Sequence, residues 1–169
     1  LADQPDGELA EFEKTGYVKW TTDLARIPEK FGVSNVYAEI GTTFASTCVT
    51  HPRFCAALMG QLVNVMGPER VVWGSDSVWY GSPQWQIEAL RRLEVPDDIM
   101  KKFKWKTHLG GPNSEVKQKI FGLNSAQLYS LDMKLGANKP FTQDQIAQIK
   151  ADYVAMGGER SNAAYGYVA

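Results

Sequence analysis

The feature that most constrains the fold is an alternation of strand and helix patterns in the middle of the chain. Residues 35–41 (Asn-Val-Tyr-Ala-Glu-Ile-Gly) form a short β-branched and aromatic run closed by glycine, as expected for a strand. Residues 71–73 (Val-Val-Trp) form a continuous apolar run, which indicates a buried parallel strand. Helical patterns follow these runs over residues 52–66 and residues 82–93. This order predicts an α/β fold in which crossover helices join parallel strands.

Two strands alone pose a physical problem, because each edge of a sheet leaves unpaired backbone groups. A sheet of two short strands is not expected to be stable by itself. All other elements that the sequence predicts are helices. The chain therefore reads as the end of a larger α/β protein, and we interpret Leu1, which is not a Met, as a processed or cut end.

The other helices are placed by their caps. Thr22 or Asp23 is predicted to cap the first, which ends between Lys30 and Gly32. Residues 42–50 are expected to form a loop that leads to Pro52, in the first turn of the helix over 52–66. Later helix starts are predicted at Pro96-Asp97-Asp98, Asn113-Ser114 and Asn124, and the last of these helices ends at Leu131.

The pattern changes beyond residue 132. Residues 133–141 have the composition of a linker, and Thr142-x-x-Gln145 has the form of a capping box. The helix that follows has one apolar stripe and stops at Gly157; the stripe is Ile146, Ile149 and Tyr153. We therefore divide the chain into a main domain, 1–132, and a helical C-terminal extension, 133–169.

Charge and composition exclude several classes of protein. The chain has 18 Lys+Arg, 19 Asp+Glu and a net charge of -1, which argues against a nucleic-acid surface. No apolar run approaches the roughly 20 residues of a membrane span, so we expect a soluble protein, with the cytoplasm slightly favoured. The two cysteines, Cys48 and Cys55, are too few for a disulfide framework and are expected to be reduced and partly buried.

The segment with the most chemical content is Val71-Val72-Trp73-Gly74-Ser75-Asp76. An acidic residue just beyond the carboxyl end of a buried parallel strand lies where α/β barrels keep their reactive groups. Gly74 permits a tight turn or a close approach of the backbone to another group. From spacing alone, a role for Asp76 as a cap of the following loop is equally consistent with the sequence.

Three blocks together resemble the C-terminal part of amidohydrolase-related proteins, the branch that includes aminocarboxymuconate semialdehyde decarboxylase and other metal-dependent decarboxylases and hydrolases. The blocks are residues 35–40, 67–76 and 119–129, within a match from 35 to 131. The resemblance implies a (β/α)8 TIM barrel, of which this chain contains the last two β/α units. Residues 36–40 would be strand seven, residues 71–73 strand eight, and the helix at Asn124 would close the barrel.

The same resemblance implies that Asp76 is a metal ligand or a general acid/base. The ion would be divalent, zinc first and manganese or magnesium next. The other ligands of the family are histidines, or a Glu and histidines, after earlier strands, and none of these positions lies in this sequence. His51 and His108 fall outside the matched ligand positions and are expected to be surface or loop residues. Activity is therefore expected only with the N-terminal part of the same protein.

The expected reaction is hydrolysis or non-oxidative decarboxylation of a small carboxylated or cyclic substrate. Glu39, Trp79 and Tyr80 are predicted to bind this substrate, although packing under a loop would also explain the aromatic residues. Thr42-Thr43 extends the same rim. The alternative is a non-catalytic interaction or scaffold module, in which the helix over 52–66 docks a partner. Association into a homo-oligomer is left open.

Overall fold

The computed structural model describes residues 5–132 and 143–158. The chain divides into two compact units, Leu1–Tyr129 and Ser130–Ala169. The linker predicted over 133–141, residue 142 of the predicted capping box and the tail from 159 onward lie outside the described residues. The predicted division after residue 132 stays a prediction.

The described part of the chain is mostly helical. Its α-helices are α1 (Pro5–Thr15), α2 (Thr21–Phe31), α3 (Gly41–Thr47), α4 (Pro52–Gln61), α5 (Ser77–Tyr80), α6 (Gln84–Arg92), α7 (Asp97–Phe103), α8 (Glu115–Gln118), α9 (Asn124–Leu128) and α10 (Gln143–Ala155). Helix α4 continues as a π-helical turn, Leu62–Met66, and α8 continues into α9 through another, Lys119–Leu123. A short 3₁₀ segment, Pro68–Arg70, leads into the second strand. None of the helices in the described ranges has the length and hydropathy that a membrane span needs.

The sheet contains two parallel strands, β1 (Ala38–Glu39) and β2 (Val71–Val72). Ala38 lies opposite Val71 and Glu39 opposite Val72, and the Ile40 N–H donates to the Val72 carbonyl at 3.2 Å. The predicted parallel pairing is confirmed, but both strands are shorter than predicted. A two-stranded sheet among helices does not by itself form a barrel.

The centre of the first unit is helix α4. Every residue from Phe54 to Gln61 is buried, as expected for a helix that is apolar on more than one face. Gly60 permits close packing, because a Cβ there would lie 2.5 Å from the Trp105 ring. The alternative expected this helix to offer an exposed apolar face to a partner, whereas the structure buries residues 54–61 within the unit. Whether the chain is an interaction or scaffold module stays a prediction.

Three local predictions are corrected by tertiary contacts. Residues 42–50 are not a loop, because α3 occupies most of them. Thr22 and Asp23 do not cap α2, which already begins at Thr21; the Thr22 hydroxyl accepts from the Val18 N–H at 2.7 Å and donates to Gln61 Oε1 at 2.8 Å. Asn124 is helical rather than a cap, since its side-chain amide reaches across to the backbone carbonyls of Pro68 and Val71, each at 2.7 Å.

Other expectations hold. Ser114 caps α8, and its hydroxyl accepts from the Lys117 N–H at 3.3 Å. Both cysteines are free and buried. In the second unit, helix α10 ends at Ala155, and Gly157 follows with a φ of 84°, in the left-handed region that glycine adopts readily.

Candidate functional site

Asp76 lies in the segment that leaves the carboxyl end of β2. Its backbone is left-handed, with φ 46° and ψ 35°, a conformation that aspartate tolerates better than most residues. The Asp76 carbonyl accepts from the N–H groups of Trp79 and Tyr80 at 2.9 and 3.1 Å, which starts helix α5. The side chain makes no cap hydrogen bond to that helix. Asp76 therefore contacts helix α5 through its backbone carbonyl and not through its side chain, so its carboxylate is available for other contacts.

The Asp76 carboxylate is instead held by the segment after β1. The Thr42 hydroxyl, in the first turn of α3, donates to Asp76 Oδ2 at 2.6 Å. Strands β1 and β2 are adjacent and parallel, so the residues that follow them meet at one edge of the sheet. This is the structural reason that residues 34 positions apart in sequence come into contact.

Glu39 places a second carboxylate at the same edge. Its Oε1 accepts from the Gly41 N–H at 2.9 Å. Its Oε2 lies 2.8 Å from the position that a Cβ on Gly41 would take, and Asp76 Oδ2 lies 2.7 Å from that same position. The two carboxylates thus converge on the position that a side chain of Gly41 would occupy. Sequence analysis placed Glu39 and Asp76 in one site, and the structure brings them together.

Gly74 makes room for this arrangement. A Cβ at Gly74 would lie only 1.4 Å from Glu39 Oε1, so any side chain there would overlap the carboxylate. The sequence offered two reasons for a glycine at position 74, a tight turn or the close approach of another group. The structure shows the close approach. Glu39 itself is exposed and Asp76 is partly buried, so both carboxylates are accessible to a ligand.

Gln86 in α6 supports the loop that carries Asp76, and sequence analysis missed it. The fully buried side chain donates from Nε2 to the Ser75 carbonyl at 2.8 Å. Its Oε1 is buried without a hydrogen-bond partner among the described residues. The sequence signal that could have pointed to Gln86 is its position on the apolar face of an amphipathic helix, where a polar side chain needs a hydrogen-bond partner.

The two aromatic residues predicted to bind substrate follow Asp76 in α5. Trp79 is 81% exposed and Tyr80 is partly exposed. Neither makes a ring contact with another aromatic side chain in the described ranges. Packing under the loop therefore does not account for the indole of Trp79, and its role in substrate binding stays a prediction.

A cavity of about 430 Å³ opens beside the carboxylates. Its lining is mostly apolar and comes from α2, β1, α3, α4 and the π-helical turn: Trp20, Thr21, Asp23, Leu24, Ile27, Ala38, Glu39, Ile40, Thr43, Phe44, Thr47, Cys55, Leu58, Met59 and Leu62. Glu39 is the residue that lies both in this lining and in the carboxylate pair. A volume of this size lies within the range of small-molecule pockets.

The side-chain atoms available at the site determine whether it could bind a divalent ion. Glu39 and Asp76 supply carboxylate oxygens, which suit such ions. Within the described part of the chain, no cluster of three or more His, Cys, Asp or Glu residues could hold a metal. His51 precedes α4 with its ring beside the Thr50 hydroxyl, and His108 lies in a loop, as predicted. The residues present therefore fit part of a coordination shell, made of oxygen ligands only.

Glu39 and Asp76 lie near the carboxyl ends of adjacent parallel strands, the edge at which open α/β sheets bind their ligands. In a comparison with known families, the sequence profile of the amidohydrolase family matches residues 22–131, well over half of the chain. The chain belongs to the amidohydrolase family. Searches among curated proteins and among solved structures found no match.

Proposed function

We propose that this chain is the C-terminal part of a metal-dependent hydrolase or non-oxidative decarboxylase with a (β/α)8 barrel. In this proposal β1 and β2 are the last two barrel strands. The observation that carries it is the convergence of Glu39 and Asp76 on the position that a side chain of Gly41 would occupy, within the range of the family match. We also propose that the chain belongs to the branch of the family that includes aminocarboxymuconate semialdehyde decarboxylase.

Asp76 is the residue that would hold the ion. A divalent ion, when bound, provides a water of lowered pKa. Asp76 would contribute its carboxylate to the ion or to this water, and the Thr42 hydrogen bond would fix the rotation of the carboxyl group. The oxygen donors described do not by themselves select zinc, manganese or magnesium.

Glu39 and the aromatic residues of α5 would bind the substrate. The Gly41 N–H occupies one oxygen of Glu39, which leaves the other for a substrate or for a proton transfer. Trp79 offers an exposed ring for a cyclic substrate. The remaining ligands would come from the N-terminal part of the same protein, so residues 1–169 alone are expected to be inactive.

Metal analysis of the protein with its N-terminal part tests the proposal. We expect one equivalent of metal in the wild type and loss of both metal and turnover in Asp76→Asn, which keeps the shape of the side chain. Asp97→Asn, an exposed position in the first turn of α7, is the matched control and should keep both. Retention of metal and turnover by Asp76→Asn would show that the assignment is wrong.

A further inference from the structure

A polar cavity of about 260 Å³ lies at the amino ends of the two strands. The residues that lead into β1 and β2 line it, together with residues of α9. Tyr37 directly precedes β1, and Arg70 directly precedes β2. Glu39 and Asp76 lie near the carboxyl ends of the same strands, so the cavity is at the opposite end of the sheet from the candidate active site.

Arg70 brings to this cavity a positive charge that no carboxylate pairs. Its Nη1 donates to the Met66 carbonyl at 3.0 Å, which fixes the orientation of the guanidinium group. Among the described residues Arg70 makes no ion pair, and the neighbouring Glu69 pairs with Lys119 instead, at 3.0 Å. The remaining N–H groups of a guanidinium bind a carboxylate through two parallel hydrogen bonds. The cavity therefore offers a site for a carboxylate.

Asn124 brings an acceptor oxygen to the same cavity. The residue is only 4% exposed, and its Nδ2 donates to the carbonyls of Pro68 and Val71. Those two bonds use both N–H groups of the side-chain amide and fix its orientation. Its Oδ1 accepts no hydrogen bond from the residues that the structure describes. Since buried acceptors are normally paired, this oxygen calls for a donor that enters the cavity.

The lining combines both signs of charge. Arg70 is its cation and Glu69 its anion. Ser34, Tyr37 and Gln127 add neutral polar groups, none of which makes a side-chain hydrogen bond to another described residue. A ligand that carries both charges complements such a lining better than a simple anion does. The volume lies below the usual range for drug-sized ligands, so the ligand has to be small.

We propose that this cavity binds a small free α-amino acid. The carboxylate of the ligand binds the Arg70 guanidinium and accepts from the Tyr37 hydroxyl, and its ammonium group donates to Asn124 Oδ1 beside Glu69. The ligand joins the segments before both strands to α9, so its binding stabilises the first unit. The inference involves neither of the carboxylates at the other end of the sheet and does not depend on the proposed function.

The test is a titration of the 169-residue chain with L-alanine, followed by the NMR signals of the backbone amides. We expect saturable shifts of the amides of Tyr37, Arg70 and Gln127. The dissociation constant should be on the order of 1 mM, because so small a ligand makes few contacts. The melting temperature should rise with the concentration of L-alanine, as expected for a ligand that binds the folded chain.

Three matched ligands separate the groups that the proposal uses. Propionate lacks the ammonium group, ethylamine lacks the carboxylate, and N,N,N-trimethyl-L-alanine keeps both charges but has no N–H to donate. Each should bind at least about tenfold more weakly than L-alanine, since a hydrogen bond to a charged group typically contributes that much.

Two variants identify the residues. Arg70→Gln should weaken binding of L-alanine at least about tenfold. Tyr37→Phe keeps the ring and should weaken it severalfold, and it decides the matter if loss of the contact with Met66 unfolds Arg70→Gln. Arg26→Gln, an exposed position outside the lining, and Tyr153→Phe, in α10, are the matched controls and should leave the affinity unchanged.

Three outcomes would overturn the proposal. The first is the absence of saturable binding of L-alanine at these amides. The second is equally tight binding of propionate, which would identify an adventitious anion site only. The third is an unchanged affinity in folded Arg70→Gln and in Tyr37→Phe. The expected pattern, found together with no effect of Asp76→Asn on metal content in the longer protein, would retain the amino-acid site and remove the catalytic assignment.

Discussion

The Thr42 hydroxyl donates a 2.6 Å hydrogen bond to Asp76 Oδ2, and this contact joins the segments that follow the two parallel strands. A hydrogen bond to a carboxylate from a neutral donor fixes the rotation of the carboxyl group and directs its other oxygen. Thr42 is therefore a positioning residue for Asp76. Its contribution depends on the hydroxyl and not on the size of the side chain.

Thr42→Val removes the hydroxyl and keeps the shape of the side chain. In the longer metal-binding protein proposed above, we expect metal affinity to fall about 10-fold to 100-fold, as is typical when an outer-shell partner is lost. Equilibrium dialysis against a metal indicator measures this affinity. Thr42→Ser should restore it, and Thr43→Val, at the neighbouring position, should have little effect. Equal metal affinity in Thr42→Val and the wild type would exclude the positioning role.

Gly74→Ala introduces a methyl group where Glu39 Oε1 now lies, at a separation of 1.4 Å. The exposed Glu39 side chain has to move, and it then loses its hydrogen bond from the Gly41 N–H, so we expect a cost of about 1 kcal/mol. Urea unfolding should show this loss of stability in the 169-residue chain. The matched control is Gly111→Ala, where an added Cβ meets no atom within 4 Å. A result for Gly74→Ala as small as that of the control would show that Glu39 does not occupy this position in solution.

The sequence indicated where Asp76 and Glu39 lie in the fold, and the reasons differ between the two residues. Asp76 drew attention because the apolar run of β2 ends at Gly74, and Glu39 because it lies near the end of the run of β1. Both signals are local patterns that tertiary packing preserves. Their roles in a site came from the family resemblance and stay predictions. The predicted parallel pairing followed from the order of elements alone, since parallel strands need a crossover connection.

Contacts between distant segments could not be predicted in this way. Thr42 was expected in a loop because the residues from 42 to 50 have weak helical propensity, yet packing of Phe44 and Ala45 stabilises α3 there. Asn124 was expected to cap a helix, the usual role of asparagine before an apolar run. Its actual partners are the carbonyls beside β2, more than fifty positions away. Such contacts depend on how two distant segments pack together, so the sequence pattern of either segment alone does not predict them.

The cysteines allow a test of the packing of the first unit. Burial raises the pKa of Cys48 to about 11 and that of Cys55 to about 12. Because the thiolate is the reactive form, both residues should react with iodoacetamide at neutral pH far more slowly than a free thiol. Mass spectrometry after timed quenching measures the rates, and the chain unfolded in guanidinium provides the reference. Fast modification of either cysteine in the folded chain would contradict the packing described around α3 and α4.

Lys117 gives a prediction about pH. The residue is fully buried, and its Nζ donates to the Arg91 carbonyl at 2.7 Å, which satisfies one carbonyl at the end of α6. Burial lowers the pKa of Lys117 from its ordinary value of 10.5, with an opposing contribution from Glu94. Between the folded and the unfolded pKa, the unfolded chain binds more protons at this residue than the folded chain does. The contribution of Lys117 to the free energy of unfolding must therefore increase as the pH rises through that interval.

Lys117→Met removes this titration and keeps an unbranched side chain. The difference in the free energy of unfolding between the wild type and Lys117→Met should shift in favour of the wild type as the pH rises from neutral toward 10.5, the ordinary lysine value. Urea unfolding at a series of pH values measures this difference. Lys101→Met, an exposed position on α7, is the control and should show no such trend. A difference that is constant with pH, or that shifts in favour of Lys117→Met, would mean that the ammonium group is not buried as a charge in the folded chain.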